Sequence, residues 1–329
     1  MCIYPQFVYL YQDDDGHICS TMNLKKAARH GAWEQEIPCG SCPECQNERK
    51  RIKGIQAWCE SKTWKNNCWI TLTYDDDHMP EDYSLHWYEV QKFMYKLRRK
   101  FHGIEAVVYK GKTKMPIRSF GCGEYGDLAM VIPGAVCRLG RPHFHIILFN
   151  FNFSDRYLWT IRNGNGVYRS SALEKLWTNG NSEIEDVAIG SCMYVAGYVD
   201  KKKHNRSRDL YHIYDEATGE ILFEREPEQA HGSNRPGLGY FFLKKFKSDL
   251  VRDDYIMSEQ RFKNKLPKYF DKKILEDDDE YSFLHEFNKV LRAQRAKEKQ
   301  EDDWLRKLQK EDYLYTLADR KKQMKGKQL

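Results

Sequence analysis

The alternation of hydrophobic and polar positions in the first half of the chain predicts strands joined by short helices. Residues 69–74 place every second side chain on an apolar face, which is typical of a strand, and the acidic run that begins at Asp75 ends it. Ser84 is the predicted N-cap of a helix that follows, because an apolar stripe at helical spacing continues to Phe101. A strand therefore leads into an amphipathic helix.

The next apolar segments predict a hairpin and two more helices. Residues 117–125 and 142–149 are the predicted strands of a hairpin with a long loop. A helix is expected from Ser171 to Gly180, a strand over 183–189, and a helix capped by Ser191 that runs to about Lys202. Strands and helices mixed in this way indicate an α+β body.

The end of the chain has a different composition. Residues 251–329 contain one proline, one glycine and no cysteine, and apolar residues recur there at helical spacing among charged ones, which predicts a solvated helical tail. We therefore divide the chain into a cysteine-rich segment with a basic helix (1–65), a central domain (66–250) and the charged helical tail (251–329).

Composition excludes some classes of protein. Hydrophobic residues make up 41% of the chain, enough for a core, but the mean hydropathy is −0.78 and no apolar run approaches the length of a membrane span. The net charge of +6 over 329 residues does not by itself indicate a nucleic-acid partner. No basic and apolar leader is recognisable at the start, so we expect no secretion, no membrane association and reduced cysteines.

A pair of histidines on one predicted strand is a candidate metal site. His143 and His145 are separated by one residue, so both imidazoles leave the same face of the strand. If residues 119–125 pair antiparallel with this strand, Glu124 can lie opposite and complete a two-histidine, one-carboxylate set. Such pairs also occur by chance, and an exposed strand glutamate is the simpler interpretation of Glu124.

Two tyrosines on one predicted helix are candidate nucleophiles. Tyr194 and Tyr198 are four residues apart and share a helix face, and Lys201 follows one turn later. A phenol can attack a phosphodiester and hold the 5′ phosphate as a covalent ester, with a metal ion and a nearby lysine supporting the developing charge. Core packing is the commonest use of such a pair, but Gly197 between them costs helix stability and indicates a close approach.

Three cysteines near the start have metal-ligand spacing. Cys39, Cys42 and Cys45 follow one another at intervals of three within a Pro/Gly-containing turn, which predicts three of four zinc ligands. The fourth candidate is Cys2, Cys19 or His30. An iron–sulfur cluster and metal-free thiols are the alternatives that this spacing leaves open.

Basic residues cluster in three segments that could contact DNA phosphates. Residues 98–118 carry seven lysines and arginines, among them Arg98 and Arg99, against one glutamate. Tyr109, Tyr211 and Tyr214 are candidates to stack on unpaired bases. The candidates in the other two segments are Arg49, Lys50, Arg51 and Lys53 after the cysteines, and Lys202, Lys203, Arg206 and Arg208 after the tyrosines.

The order of these motifs resembles a known family. The Ile-Thr-Leu-Thr-Tyr strand, Gly-Arg-Pro-His143-Phe-His145, and Tyr194-x-x-x-Tyr198-x-x-Lys201 resemble the three ordered motifs of HUH rolling-circle replication endonucleases of the two-tyrosine type. With Pro-Cys39-Gly-Ser-Cys42-Pro-Glu-Cys45 and Cys-Gly-Glu124-Tyr-Gly, the set resembles the replication initiators of microviruses, especially the gokushovirus group. The motifs cover residues 39–203.

The resemblance implies a fold and a set of residue roles. It implies a ferredoxin- or RRM-like central antiparallel sheet flanked by helices, with the histidines on a middle strand and the tyrosine helix packed beside them. It implies Mg²⁺ or Mn²⁺ on His143, His145 and Glu124, nucleophilic Tyr194 and Tyr198 with Lys201 in support, and, as in initiators with an early cysteine, Cys2 as the fourth ligand of a structural Zn²⁺.

The implied function is initiation of viral DNA replication. The enzyme would nick one strand at a viral origin, hold it as a 5′-phosphotyrosine ester and religate the displaced single strand, in the cytoplasm of a bacterial host. No Walker-type phosphate loop occurs, so a host helicase and a host DNA polymerase are the expected partners.

Two other classes stay open at this point. One is a zinc-stabilised nucleic-acid-binding protein without catalysis, and the other is a His-x-His metallohydrolase or oxygenase that acts on small molecules. Relaxases share the nicking chemistry, but they usually carry the tyrosine ahead of the histidines, whereas here it follows them.

Overall fold

Strands and helices are mixed along the chain, which confirms the α+β class. The computed structural model describes residues 2, 4–13, 18–198, 208–259, 261–277 and 279–301. The strands are β1 (Gln6–Gln12), β2 (Ile18–Thr21), β3 (Trp33–Ile37), β4 (Asn67–Tyr74), β5 (Val107–Tyr109), β6 (Lys112–Lys114), β7 (Arg118–Tyr125), β8 (Ala135–Cys137), β9 (Pro142–Phe149), β10 (Tyr157–Arg162), β11 (Asn165–Arg169), β12 (Gly180–Glu185), β13 (His212–Asp215), β14 (Ile221–Glu224), β15 (Ala230–Gly232), β16 (Ile256–Met257) and β17 (Lys263–Asn264). The helices are α1 (Leu24–Arg29), α2 (Pro43–Thr63), α3 (Trp87–Lys100), α4 (Ser171–Glu174), α5 (Ile189–Ala196), α6 (Tyr240–Asp253), α7 (Lys268–Leu275) and α8 (Glu280–Glu301).

Two compact units divide the chain. One is formed by residues 50–281, and the other by residues 1–49 together with the segment from residue 282 onward. Within the described ranges, no helix has both the length and the apolar character needed to cross a membrane. The domain boundaries near residues 65 and 250 stay predictions, and the tail beyond residue 301 lies outside the described residues.

A seven-stranded antiparallel sheet, ordered β10-β11-β12-β4-β9-β7-β15, forms the centre of the larger unit. The predicted hairpin is confirmed, because β7 and β9 pair antiparallel from Arg118 opposite Phe149 to Tyr125 opposite Pro142. On its other side β9 pairs with β4, the strand predicted over residues 69–74. The histidine strand is therefore interior to the sheet, with a partner on each side.

Each face of this sheet carries its own core. On one face the even-numbered residues of β9, such as Phe144 and Ile146, pack with the apolar stripe of α3. On the other face Ile147, Phe149 and Phe120 pack with α5, α6 and the part of α2 that follows residue 50. Because successive side chains of a strand alternate in direction, this division follows from the sequence of β9 itself.

The smaller unit contains a three-stranded antiparallel sheet in the order β2-β1-β3. Helix α1 begins after Asn23, whose side chain accepts hydrogen bonds from the backbone N–H groups of Lys25 and Lys26. The cysteine segment follows β3 and leads into α2.

Several predicted helix starts are wrong by a few residues. Helix α3 begins at Trp87, because the Ser84 hydroxyl is buried and accepts a hydrogen bond from the Glu226 N–H (2.7 Å) instead of capping a helix. Helix α4 is capped by Ser170 and has only four residues. Helix α5 begins two residues before Ser191, whose hydroxyl accepts from the Ala188 N–H (3.2 Å). The strand predicted over 183–189 ends at Glu185.

A buried ion pair joins α2 to the start of β7. Arg118 Nε lies 2.6 Å from Glu60 Oε1, and both side chains are almost fully buried. The second oxygen of Glu60 accepts from the Gly239 N–H (2.6 Å), and Arg118 Nη2 donates to the carbonyls of Pro236 and Gly237. Each charge thus has several partners, which is the condition under which burial of an ion pair is tolerated.

We predict that Glu60→Ala destabilises the protein strongly, since it leaves the Arg118 guanidinium buried without a counter-charge. The expected loss is about 3–5 kcal/mol in the free energy of unfolding, measured by urea denaturation. Glu259→Ala removes a carboxylate from an exposed pair with Lys62 and should cost less than about 1 kcal/mol. Equal losses in the two variants would contradict the assignment.

Candidate metal and tyrosine site

The β7–β9 register brings one carboxylate and two imidazoles together. Glu124 is directly opposite His143, and His145 is opposite Cys122, two residues along. Glu124 Oε2 lies 3.7 Å from His143 Nε2 and 3.4 Å from His145 Nε2, and the three side chains are only 13–16% exposed. One ligand atom from each residue lies within 4.8 Å of the others.

The other ring nitrogens are occupied by hydrogen bonds. His143 Nδ1 lies 3.1 Å from the Arg141 carbonyl oxygen, and His145 Nδ1 lies 3.0 Å from Thr71 Oγ1. A proton on His143 Nδ1 leaves the Nε2 lone pair directed toward Glu124, and this arrangement is the usual one for metal-ligating histidines. The three residues fit a divalent cation with open positions for further oxygen ligands.

The charge state of the site suits a cation. Burial alone would raise the pKa of Glu124, but hydrogen bonds from His145, Tyr194 and Tyr198 outweigh it and lower that pKa to about 2. Burial, followed by the charge of His145, lowers the pKa of His143 from its ordinary value. At neutral pH the carboxylate is therefore ionised and His143 is neutral, which are the protonation states that bind a metal ion.

Both tyrosines reach the same carboxylate. Tyr194 lies in α5, and Tyr198 follows the helix end at Gly197, which keeps a helical backbone conformation. Each phenol donates a hydrogen bond to Glu124, one to each oxygen, and the two Oη atoms are 3.3 Å apart. Tyr194 is 38% exposed and Tyr198 is 6% exposed. Burial, followed by Glu124, raises the pKa of both phenols, so both are protonated at neutral pH.

Two residues of β4 complete the site and were not predicted from the sequence as site residues. Trp69 lies against His145 and Tyr194, with ring centroids 5.4 and 5.8 Å apart. Thr71 is opposite His145 in the β4–β9 register and carries the hydroxyl that contacts its ring. The alternation that buries the even-numbered residues of β4 was the available signal, since it directs the odd-numbered ones to the histidine face.

The predicted basic residues are only partly described. Lys201, Lys202, Lys203, Arg206 and the side chain of Arg208 lie outside the described residues.

The arginines of α2 have internal partners. Arg49 donates to the Gly40 carbonyl, and Arg51 Nη1 donates to Asn264 Oδ1 (2.8 Å). Lys50 approaches the tyrosine turn: a Cβ placed on Gly197 would be 3.3 Å from its Nζ. Base stacking by Tyr211 is a wrong prediction, because its ring is buried and its hydroxyl donates to Glu228.

The four cysteines of the predicted cluster also come together. The sulfurs of Cys2, Cys39, Cys42 and Cys45 all lie within 4.8 Å of one another, and Cys2 Sγ is 3.9 Å from Cys42 Sγ. Sulfurs on a tetrahedral zinc ion, with bonds of about 2.3 Å, are about 3.8 Å apart. The cluster can therefore hold a metal ion.

The surroundings of the cysteines favour one thiolate and exclude the other fourth ligands. N–H groups of Cys42 and Ser41 and the Ser41 hydroxyl lower the pKa of Cys39 to about 5. Burial raises the pKa of Cys45 to about 12, so a cation is needed to ionise that thiol near neutral pH. Cys19 instead donates to Asp13 (3.5 Å), and His30 stacks on Tyr11 (4.6 Å between ring centroids).

Comparison with known proteins supports the recognition made from the motifs. Residues 67–203 match a family of replication-associated proteins of the ORF2 type. The chain is 29% identical over 238 residues to Replication-associated protein VP4 of Bdellovibrio phage phiMH2K, and 28% identical over 275 residues to Replication-associated protein ORF4 of Chlamydia phage 1. These matches confirm the resemblance to microvirus-type replication initiators.

The extent of the matches is limited. The Bdellovibrio phage match covers 71% of this chain and 66% of the relative, and the Chlamydia phage match covers 80% and 60%. A third relative, Replication-associated protein ORF2 of Spiroplasma virus 4, is 27% identical over 251 residues, which is 72% of this chain and 67% of the relative. The chain thus spans less than two thirds of the first two relatives, and no solved structure matches it.

We predict that the affinity for Mn²⁺ is constant above about pH 7 and falls as the pH drops through 6.5, because the imidazoles must be neutral to bind. The lowered pKa of His143 places its own protonation at the acidic end of this decline. The Glu124 carboxylate, with a pKa of about 2, stays ionised throughout. Calorimetric titration measures the affinity, and His78→Ala, outside the site, should give the wild-type profile. Constant affinity down to pH 4 would contradict the assignment.

We also predict that the purified full chain carries about one zinc ion and that Cys42→Ser removes it, because three thiolates cannot close a structural site. Mass spectrometry of the metal content measures both proteins. Cys19→Ser is the matched control, since its thiol lies outside the cluster. Iron in place of zinc, or unchanged zinc in Cys42→Ser, would overturn the assignment.

Proposed function

We propose that the protein is a metal-dependent DNA nicking and strand-transfer endonuclease that initiates rolling-circle replication of a viral genome. The observation that carries this proposal is the convergence of two phenols and two imidazoles on the single carboxylate of Glu124. The names of the phage relatives support the same role.

In the proposed reaction, a phenolate oxygen attacks a phosphorus atom of the viral strand. The Oη–P bond forms and the P–O3′ bond breaks; the phenol proton passes to solvent, and the leaving oxygen takes up a proton to become a 3′-hydroxyl. Glu124 and the two histidines hold Mg²⁺ or Mn²⁺, which would stabilise negative charge on the scissile phosphate and favour ionisation of the phenol. The product is a 5′-phosphotyrosine ester.

The second tyrosine is proposed to close the circle. While one tyrosine holds the 5′ end, a free phenol beside it can attack the regenerated origin, and the released 3′-hydroxyl can then attack the first ester. The 3.3 Å between the two Oη atoms lets both act on a phosphate at the same place. Because each ester conserves the energy of the bond that was cut, religation requires no external energy source.

Both alternative classes explain fewer residues. A zinc-stabilised binding protein would use the cysteine cluster but would not need two phenols and two imidazoles on one carboxylate. A small-molecule metallohydrolase would use the triad but not the paired tyrosines or the lysine beside them. We accordingly propose single-stranded DNA at a viral origin as the substrate, host helicase and polymerase as partners, and the bacterial cytoplasm as the place of action.

We expect the protein, incubated with Mn²⁺ and circular single-stranded DNA that carries its own viral origin, to form a protein–DNA adduct resistant to SDS. Tyr194→Phe/Tyr198→Phe should abolish the adduct, because no phenol is left to form the ester. Tyr88→Phe/Tyr157→Phe is the matched control, since it removes two exposed phenols outside the site, and it should behave as wild type.

Two further variants separate the steps. Each single tyrosine variant should still form the adduct but release few closed circles, since no second nucleophile is present. His143→Ala should lose cleavage and retain DNA binding in a gel-shift assay. The proposal is falsified if the double tyrosine variant forms the adduct at the wild-type level.

A further inference from the structure

A basic cavity lies on the face of the seven-stranded sheet opposite to the metal and tyrosine site. In the β7–β9 register Gly121 is paired with Ile146, and the next pair is Cys122 with His145. Neighbouring pairs project to opposite faces, so Gly121 and Ile146 line the cavity while His145 lies in the metal site. The cavity has a volume of about 800 Å³.

The cavity is strongly and almost purely cationic. Arg98 and Arg99 of α3 and Arg235 after β15 line it, and no aspartate or glutamate is among the described residues around it. Within the described part of the chain, no carboxylate forms an ion pair with these three guanidinium groups. Arg98 Nε donates to the Ile117 carbonyl (3.1 Å), which fixes that side chain at the wall. Burial and the charge of Arg118 lower the pKa of Arg98, as expected where positive charge is crowded.

An aromatic surface accompanies these charges. Trp87 and His231 are stacked in the wall, with ring centroids 4.4 Å apart and an interplanar angle of 24°. Tyr95 also lines the cavity and is 62% exposed, with the Arg99 guanidinium 5.6 Å from its ring. A cationic group beside an exposed aromatic ring is the combination that binds a phosphate and stacks an unpaired base.

We propose that this cavity binds a segment of single-stranded DNA, with phosphates on Arg99 and Arg235 and a base against Tyr95. Inorganic phosphate would leave the aromatic wall without a contact, and a duplex has no unpaired base to place there. This site is distinct from the metal and tyrosine site, and binding in it requires neither metal nor cleavage. It would let the protein hold a second stretch of strand while the other face of the sheet holds the strand to be cut.

The first test measures binding of a fluorescein-labelled twelve-residue oligothymidylate to the full chain by fluorescence anisotropy, without added divalent metal. Arg99→Gln/Arg235→Gln should weaken binding about fivefold to tenfold and reduce the slope of log affinity against log salt by about 1.4, since each phosphate contact contributes about 0.7. Lys96→Gln/Lys175→Gln removes the same charge outside the cavity and should leave affinity within about twofold of wild type. Equal effects of the two double variants would overturn the proposal.

The second test examines the aromatic contact and the place of binding. Tyr95→Ala should weaken binding about tenfold, and Tyr95→Phe should restore it, because stacking needs the ring and not the hydroxyl. An oligonucleotide with 5-iododeoxyuridine should photocrosslink to the peptide that contains Tyr95. Crosslinks confined to the peptide with Tyr194 would overturn the proposal. Because these assays measure binding only, their failure would leave adduct formation at the other face untouched.

Discussion

The antiparallel register of β7 and β9 is the constraint on which the candidate site depends. It sets Glu124 directly opposite His143 and leaves His145 one alternation away on the same face. A slip of one residue would turn Glu124 to the opposite face, into the core beneath α3. Gly121 helps to hold this register, because a Cβ there would lie 2.8 Å from the His145 carbonyl oxygen. The interior position of β9, hydrogen-bonded on both sides, makes the site rigid before any ligand binds.

Glu124 serves several groups at once, and this shapes the proposed chemistry. Without a cation, its two oxygens accept both phenol protons, which orients the tyrosines and raises the pKa of each phenol. A cation shared with the histidines would draw on the same oxygens and weaken that hold on the phenols. The carboxylate therefore links metal binding to the ionisation of the nucleophile, and one residue can connect the two halves of the reaction.

The two faces of the central sheet are chemically different although they share every strand. One face presents a carboxylate, imidazoles and phenols beneath a short helix, whereas the other combines an apolar core with an arginine-lined cavity. Period-two alternation makes this possible, because neighbouring residues such as Gly121 and Cys122 belong to different surfaces. A replication initiator must handle more than one stretch of strand, and a two-sided sheet separates those tasks without a second domain.

The sequence by itself determined the α+β class, the paired strands over 117–125 and 142–149, the shared face of His143 and His145, and the cysteine spacing, because period-two alternation and short spacings are local properties. It misplaced the starts of α3 and α5, since the Ser84 hydroxyl is used by a distant backbone group. Only the tertiary structure decided that Cys2 and not Cys19 or His30 joins the cluster, that both tyrosines share Glu124, and that Thr71 and Trp69 support His145. These contacts join residues far apart in the chain, and strand register and packing between elements fix them.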